Sequence, residues 1–129
     1  MSMKSILKKS CGTLYEYIDD VVEVDNAFII RFKGDVDAQT IPCIRFNLEK
    51  TGDEYVSKNI IADFKNVEHV DTATFAVILE FLGQLKANDN HLFLINVNTH
   101  FCNHLKLLNL ANKIRVLDSE EEALKELTL

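Results

Sequence analysis

The residues most able to do chemistry sit in VEHVDTATFAVIL, Val67 to Leu79. Asp71-Thr72-Ala73-Thr74 place one carboxylate and two hydroxyls where a strand-like pattern gives way to an amphipathic helix. Asp and Thr are good N-cap residues, so capping alone is a sufficient reason for this tetrapeptide. A hydroxyl at such a helix start could also carry a phosphate, held by the unpaired N–H groups and the positive end of the helix dipole. A second carboxylate pair, Asp35 and Asp37, lies in the turn Asp35-Val36-Asp37-Ala38-Gln39-Thr40. General acid–base work would need a cleft and a perturbed pKa, neither of which a sequence displays, so this turn reads as a solvated recognition loop. His100 and His104 stand four apart, as metal-binding histidines on one helical face do. Cys102 is two residues from each and points away, and no carboxylate follows at useful spacing, so no metal site is expected. There is no G-x-S-x-G, P-loop or G-x-G-x-x-G pattern, and Cys43 and Cys102 fall in predicted helices as packing residues. No catalytic residue and no cofactor are expected.

The elements that must position these groups follow from periodicity. Leu14 to Asp19 alternates loosely as a first, edge strand. Phe28 to Phe32 is a second strand, stopped by Gly34. A helix carrying Ile41, Ile44 and Leu48 follows, with Pro42 tolerated in its first turn, and Thr51-Gly52-Asp53 ends it. Asn59 to Phe64 reads as a central strand. The next helix puts Phe75, Ile78, Leu82 and Leu85 on one face with Val77 and Phe81, and Lys86 in its last turn suits the dipole. Asn88-Asp89-Asn90 turns the chain into a strand from His91 to Val97. A further helix points Phe101, Leu105 and Leu108 inward, and Ile114 to Leu117 is the last strand. Ser119-Glu120-Glu121-Glu122 has the form of a capping box before a final helix. Strands alternating with helices imply an α/β fold with a largely parallel sheet, made mixed by an antiparallel pair at the N-terminus.

The chain has 129 residues, 47% of them hydrophobic and 26% charged, which suits one ordinary globular domain. Its net charge of −6 argues against nucleic acid as a partner and permits a basic protein surface. Three cysteines, far apart and without C-x-x-C, read as reduced thiols. No window approaches a membrane span, and the first residues, with Lys4, Lys8 and Lys9 around only Ile6 and Leu7, have a shorter apolar run than is expected of a signal peptide. The expected organisation is a tail over 1–12 and one domain over 13–129, in the cytoplasm.

Three segments resemble the STAS domain family of anti-sigma factor antagonists. They are Asn59-Ile-Ile-Ala-Asp63 through Val67 to Asp71-Thr72, Phe32-Lys33-Gly34-Asp35-Val36-Asp37, and Val116-Leu117-Asp118 through Glu122-Ala123-Leu124. The resemblance spans about Tyr15 to Leu127. It implies a STAS-like single domain, a mixed and mostly parallel sheet packed with four to five helices. It also implies a binding module rather than an enzyme, with Thr72 phosphorylated by a serine/threonine kinase that is also the anti-sigma factor. Gly34, Asp35, Asp37, Thr40, Asp71 and Thr74 would form the partner-binding surface, with Thr74 a second candidate for modification. The simplest antagonists carry glycine where this chain has Thr74, and an Asp-Thr step without it looks more like stressosome scaffolds. An unphosphorylated scaffold or transport-complex subunit, and a small-ligand receptor using the carboxyl end of the sheet, remain the other readings. A homodimer stays open.

Overall fold

In a computed structural model, the described residues are 17–43 and 57–128. The expected tail, the start of the first strand at Leu14 and the helix through Ile44 and Leu48 to Thr51-Gly52-Asp53 lie outside them. Five strands make one sheet in the order β1-β2-β3-β4-β5: Ile18–Val24, Ala27–Val36, Asn59–Val70, Leu92–Ile95 and Arg115–Leu117. β1 and β2 pair antiparallel through the tight turn at Asp25-Asn26, and every later pair is parallel. Helices α1 (Thr72–Ala87), α2 (Thr99–Leu107) and α3 (Glu120–Leu127) follow β3, β4 and β5, and residues 41–43 begin a helix after β2.

Side chains alternate across the sheet and build two cores. Phe28, Ile30, Ile60, Ala62, Leu92 and Leu94 pack with Ile41, with Phe75, Ile78, Leu82 and Leu85 of α1, and with Phe101 and Leu105 of α2. Ala27, Ile29, Ile61, Phe93 and Ile95 face the other way, where Ala123, Leu124 and Leu127 of α3 cover them. Crossovers of one hand between successive parallel neighbours put α1 and α2 on the same face. The last helix has no strand to reach and folds back over the opposite one.

Two helix ends explain where this chain needs few glycines. Asp89 has φ 60, with the Asp89 N–H on the Lys86 carbonyl and the Asn90 N–H on the Leu85 carbonyl. Asn109 has φ 58 and its neighbours repeat the pattern, the Leu110 N–H reaching the Leu105 carbonyl at 2.8 Å. Both are Schellman ends, with Asp and Asn supplying the left-handed residue. The second corrects the expectation for Leu108. It is the C-cap of α2 and 45% exposed, while Leu110 takes the inward place at 8%.

Other boundaries moved as well. β2 runs through Gly34 instead of stopping there, because Gly34 takes φ +71 and the ladder shifts register on either side of it. β3 extends six residues past Phe64 by pairing with this continuation of β2. At the start of α3, Ser119 accepts from the Glu122 N–H as a capping box requires, but Glu122 reaches back to the Asp118 N–H. Cys43, expected as a reduced thiol, is disulfide-bonded, whereas Cys102 is free and half-buried.

Candidate functional site

The extended β2–β3 pair carries two loops to one place. Val36 pairs with Val70, so the turn after β2 and the Asp71 step into α1 leave the sheet side by side. Asp71 is the N-cap of α1 and sits in extended backbone, φ −109 and ψ 176. One of its carboxylate oxygens accepts from the Thr74 N–H at 3.3 Å and lies 3.2 Å from the Thr74 hydroxyl. The other accepts from the Ala38 N–H at 3.1 Å. A single carboxylate therefore closes the helix end and bridges to the neighbouring loop. The Ala38 N–H is the main reason Asp71 is held below its ordinary pKa, with the Thr74 N–H and hydroxyl and the Ala73 N–H adding to it and desolvation opposing.

Thr74 and Thr72 have opposite surroundings. Thr74 is 2% exposed, and its hydroxyl donates to the Val36 carbonyl at 2.7 Å. It was expected on the binding surface and as a second modifiable hydroxyl. Its burial removes it from that surface and makes it the tie between α1 and β2. Thr72 is the first residue of α1 and is exposed. Its hydroxyl has no hydrogen-bond partner among the described residues.

The turn after β2 is braced by its own side chains. Asp37 accepts from the Gln39 N–H at 2.9 Å and the Thr40 N–H at 3.0 Å. The Thr40 hydroxyl donates to the Asp35 carbonyl at 2.8 Å and accepts from the Asp37 N–H at 3.0 Å. The Ile41 N–H closes the first helical turn onto the Asp37 carbonyl at 2.9 Å. Asp37 and Thr40 thus act mainly as turn and cap residues, while the carboxylate of Asp35 stays exposed beside His69 in the β2–β3 ladder. Gly34 is the left-handed residue just before, with open space where a Cβ would stand.

An aromatic chain supports the site from below. Phe32 meets Phe64 at 5.5 Å, Phe64 meets Phe101 at 5.4 Å, and Phe101 meets Phe75 at 4.9 Å. Such pairs contribute about 0.5–1.5 kcal/mol each beyond burial, enough to fix the first turn of α1. Beside them a small cavity of about 50 Å³ opens between the end of β3 and α2, rimmed by His69, His100 and His104. The rings of His100 and His104 are 4.6 Å apart. No group of three or more His, Cys, Asp or Glu among the described residues is arranged to hold a metal ion.

The structure brings Gly34, Asp35, Asp37, Thr40, Asp71, Thr72 and Thr74 together at one end of the sheet. Sequence reasoning did not identify the Ala38 N–H or the Val36 carbonyl as partners, since any residue can supply a backbone group. It also passed over Arg31. That guanidinium binds both oxygens of Asp20 at 2.9 and 3.0 Å and Glu120 at 2.7 Å, and lies 3.7 Å from the buried Asp63. Its pKa is raised, first by the bond to Asp20 and then by Glu120. The register that sets Arg31 opposite Asp63 is the signal that could have found it.

A five-stranded mixed sheet, with α1 and α2 on one face, α3 on the other and a capped helix start at the carboxyl end, defines the class. Residues 20–123 match the family model for the STAS domain, and the chain belongs to that family. Solved structures share the fold. A Thermotoga maritima protein assigned as an anti-sigma factor antagonist is 19% identical with a TM-score of 0.77, covering 90% of this chain and 97% of its own. The Bacillus cell-fate determinant SpoIIAA in its phosphorylated form is 20% identical with a TM-score of 0.61, covering 84% of this chain and 97% of its own. An anti-sigma factor antagonist from Mycobacterium paratuberculosis is 14% identical with a TM-score of 0.69, over 83% of this chain and 90% of its own. No helix among the described residues is long and apolar enough to cross a membrane.

Proposed function

We propose that this chain is an anti-sigma factor antagonist, a non-enzymatic binding module of the cytoplasm switched by phosphorylation of Thr72. Its partner would be a serine/threonine kinase that is also the anti-sigma factor. The observation that carries the reading is the exposed, unpartnered Thr72 hydroxyl at the first position of α1, next to a carboxylate already locked into both loops. The partner would read Gly34, Asp35, Asp37, Thr40 and Asp71 around it, with Thr74 holding the surface in shape from beneath.

Phosphorylation adds about −1.5 to −2 charges and three acceptor oxygens. The phosphate would find helix N–H groups on one side and the carboxylates of Asp71 and Asp35 on the other. In an interface that closes over this surface, such a group repels those carboxylates and desolvates badly. A loss of about 1.4 kcal/mol is tenfold in affinity, so a few such units release a partner without any change of fold.

A second reading is a STAS scaffold or a stressosome or transport-complex subunit that works by static contact. The buried Thr74–Val36 bond favours it to the extent that it makes the surface rigid. Intact mass after incubation with ATP in host lysate separates the two, with Thr72→Ala in parallel. A phosphate adduct lost in the variant is the expected result. No adduct in a lysate with demonstrably active kinases overturns the switch and leaves the scaffold.

A further inference from the structure

The pole of the sheet opposite Thr72 carries a second feature. A groove of about 270 Å³ opens between the end of α1, the starts of β4 and β5, and α3. Its floor is Leu82, Leu92 and Phe93, and its rim holds Lys86, His91, Lys113 and Arg115, with Glu126 the one carboxylate. α1 has 16 residues, so the two poles stand about 24 Å apart at 1.5 Å per residue.

This concentration of positive charge is unusual for a chain of net charge −6. Arg31, Lys33 and Lys58 are each neutralised by an acidic neighbour. Lys86 and Lys113 have neither an ion pair nor a side-chain hydrogen bond among the described residues. The dipole of α1 accounts for Lys86 in its last turn, but Lys113 lies in a turn, at no helix end. Arg115 is held by Glu126, through Nε at 3.2 Å and through Nη2. That leaves donors of its five N–H groups directed elsewhere from a fork already fixed in place.

We propose that this groove binds a small organic phosphate. The cations of the rim would take the phosphate oxygens, with Arg115 as a pre-positioned fork and Lys86 and Lys113 as mobile point charges. The apolar floor takes the carbon portion. The volume of about 270 Å³ falls just below the about 300–1,000 Å³ of ligand pockets, which suits a compact ligand rather than a polymer. The site is separate from the Thr72 surface and does not depend on how that surface works.

The test is an amide-resolved NMR titration of the full chain with phenyl phosphate, repeated with inorganic phosphate and with the variant Lys86→Gln/Lys113→Gln. Expected are saturable shifts confined to the amides around Lys86, His91, Lys113 and Arg115. Phenyl phosphate should bind roughly fivefold tighter than inorganic phosphate through the floor. The variant should bind it about tenfold more weakly, with a melting temperature lowered by no more than about 4 °C, because both lysines are exposed and only the interaction of Lys86 with the α1 dipole is lost. Non-saturating shifts, shifts spread over distant lysines such as Lys65 and Lys106, equal affinity for the two ligands, or wild-type affinity in the variant would each overturn the proposal.

Discussion

Replacing Thr74 by valine exchanges one buried hydroxyl for a methyl of nearly the same size, so the perturbation is the hydrogen bond itself. The hydroxyl donates to the Val36 carbonyl at 2.7 Å and the residue is 2% exposed, so water cannot take its place. A lost bond that strands a buried acceptor costs about 1–3 kcal/mol. The Val36 carbonyl can relax within the irregular β2–β3 register, which places the expected cost at about 1–2 kcal/mol. For a chain of this size that lowers the melting temperature by roughly 4–8 °C. The same exchange at Thr72, two residues away, touches an exposed hydroxyl without a partner and should stay within about 0.5 kcal/mol. Thermal unfolding by circular dichroism measures both, and hydrogen exchange should show faster exchange at the Ala38 and Thr74 amides in Thr74→Val alone. Two variants of equal stability, or a Thr74→Val midpoint within about 1 °C of wild type, would refute the assignment of Thr74 as the tie between α1 and β2.

Asp71 has a depressed folded pKa, so its contribution to stability is fully present above its unfolded pKa and is lost as the pH falls through the folded one. Its carboxyl carbon, followed by NMR, should titrate below the ordinary 3.8, and a midpoint at or above that value would contradict the Ala38 bridge. Arg31→Gln leaves Asp20, Glu120 and the buried Asp63 without their shared cation. The arginine side chain is 30% exposed, so screening reduces the cost to about 1–3 kcal/mol in urea unfolding. Adding Asp20→Asn should recover part of that loss, and strictly additive losses would refute a shared cluster.

How much of this was legible depended on whether a feature lives in local chemistry. The face of α1 was readable because Phe75, Ile78, Leu82 and Leu85 recur at helical spacing, and all four are buried. The turn at Asn88-Asp89-Asn90 was readable because Asp and Asn tolerate the left-handed conformation found at Asp89. The far half of β3 was not. Lys65-Asn66-Val67-Glu68-His69 has no strand alternation, and it is extended only because β2 continues beside it past a left-handed Gly34. Leu108 matched the helical spacing of Phe101 and Leu105, yet the chain turned at Asn109 and gave the inward place to Leu110.

The sequence by itself determined the alternation of strands and helices, the antiparallel start, the family resemblance and the clustering of Asp71, Thr72 and Thr74 at a helix start. These follow from periodicity, turn chemistry and capping, which act over a few residues. Only the tertiary structure decided that Thr72 faces solvent while Thr74 is buried, that the Ala38 N–H bridges to Asp71, and that Lys86 and Lys113 share a groove. Each depends on which backbone or side chain arrives from a distant segment. Strand register sets that arrival, and local propensity does not encode it.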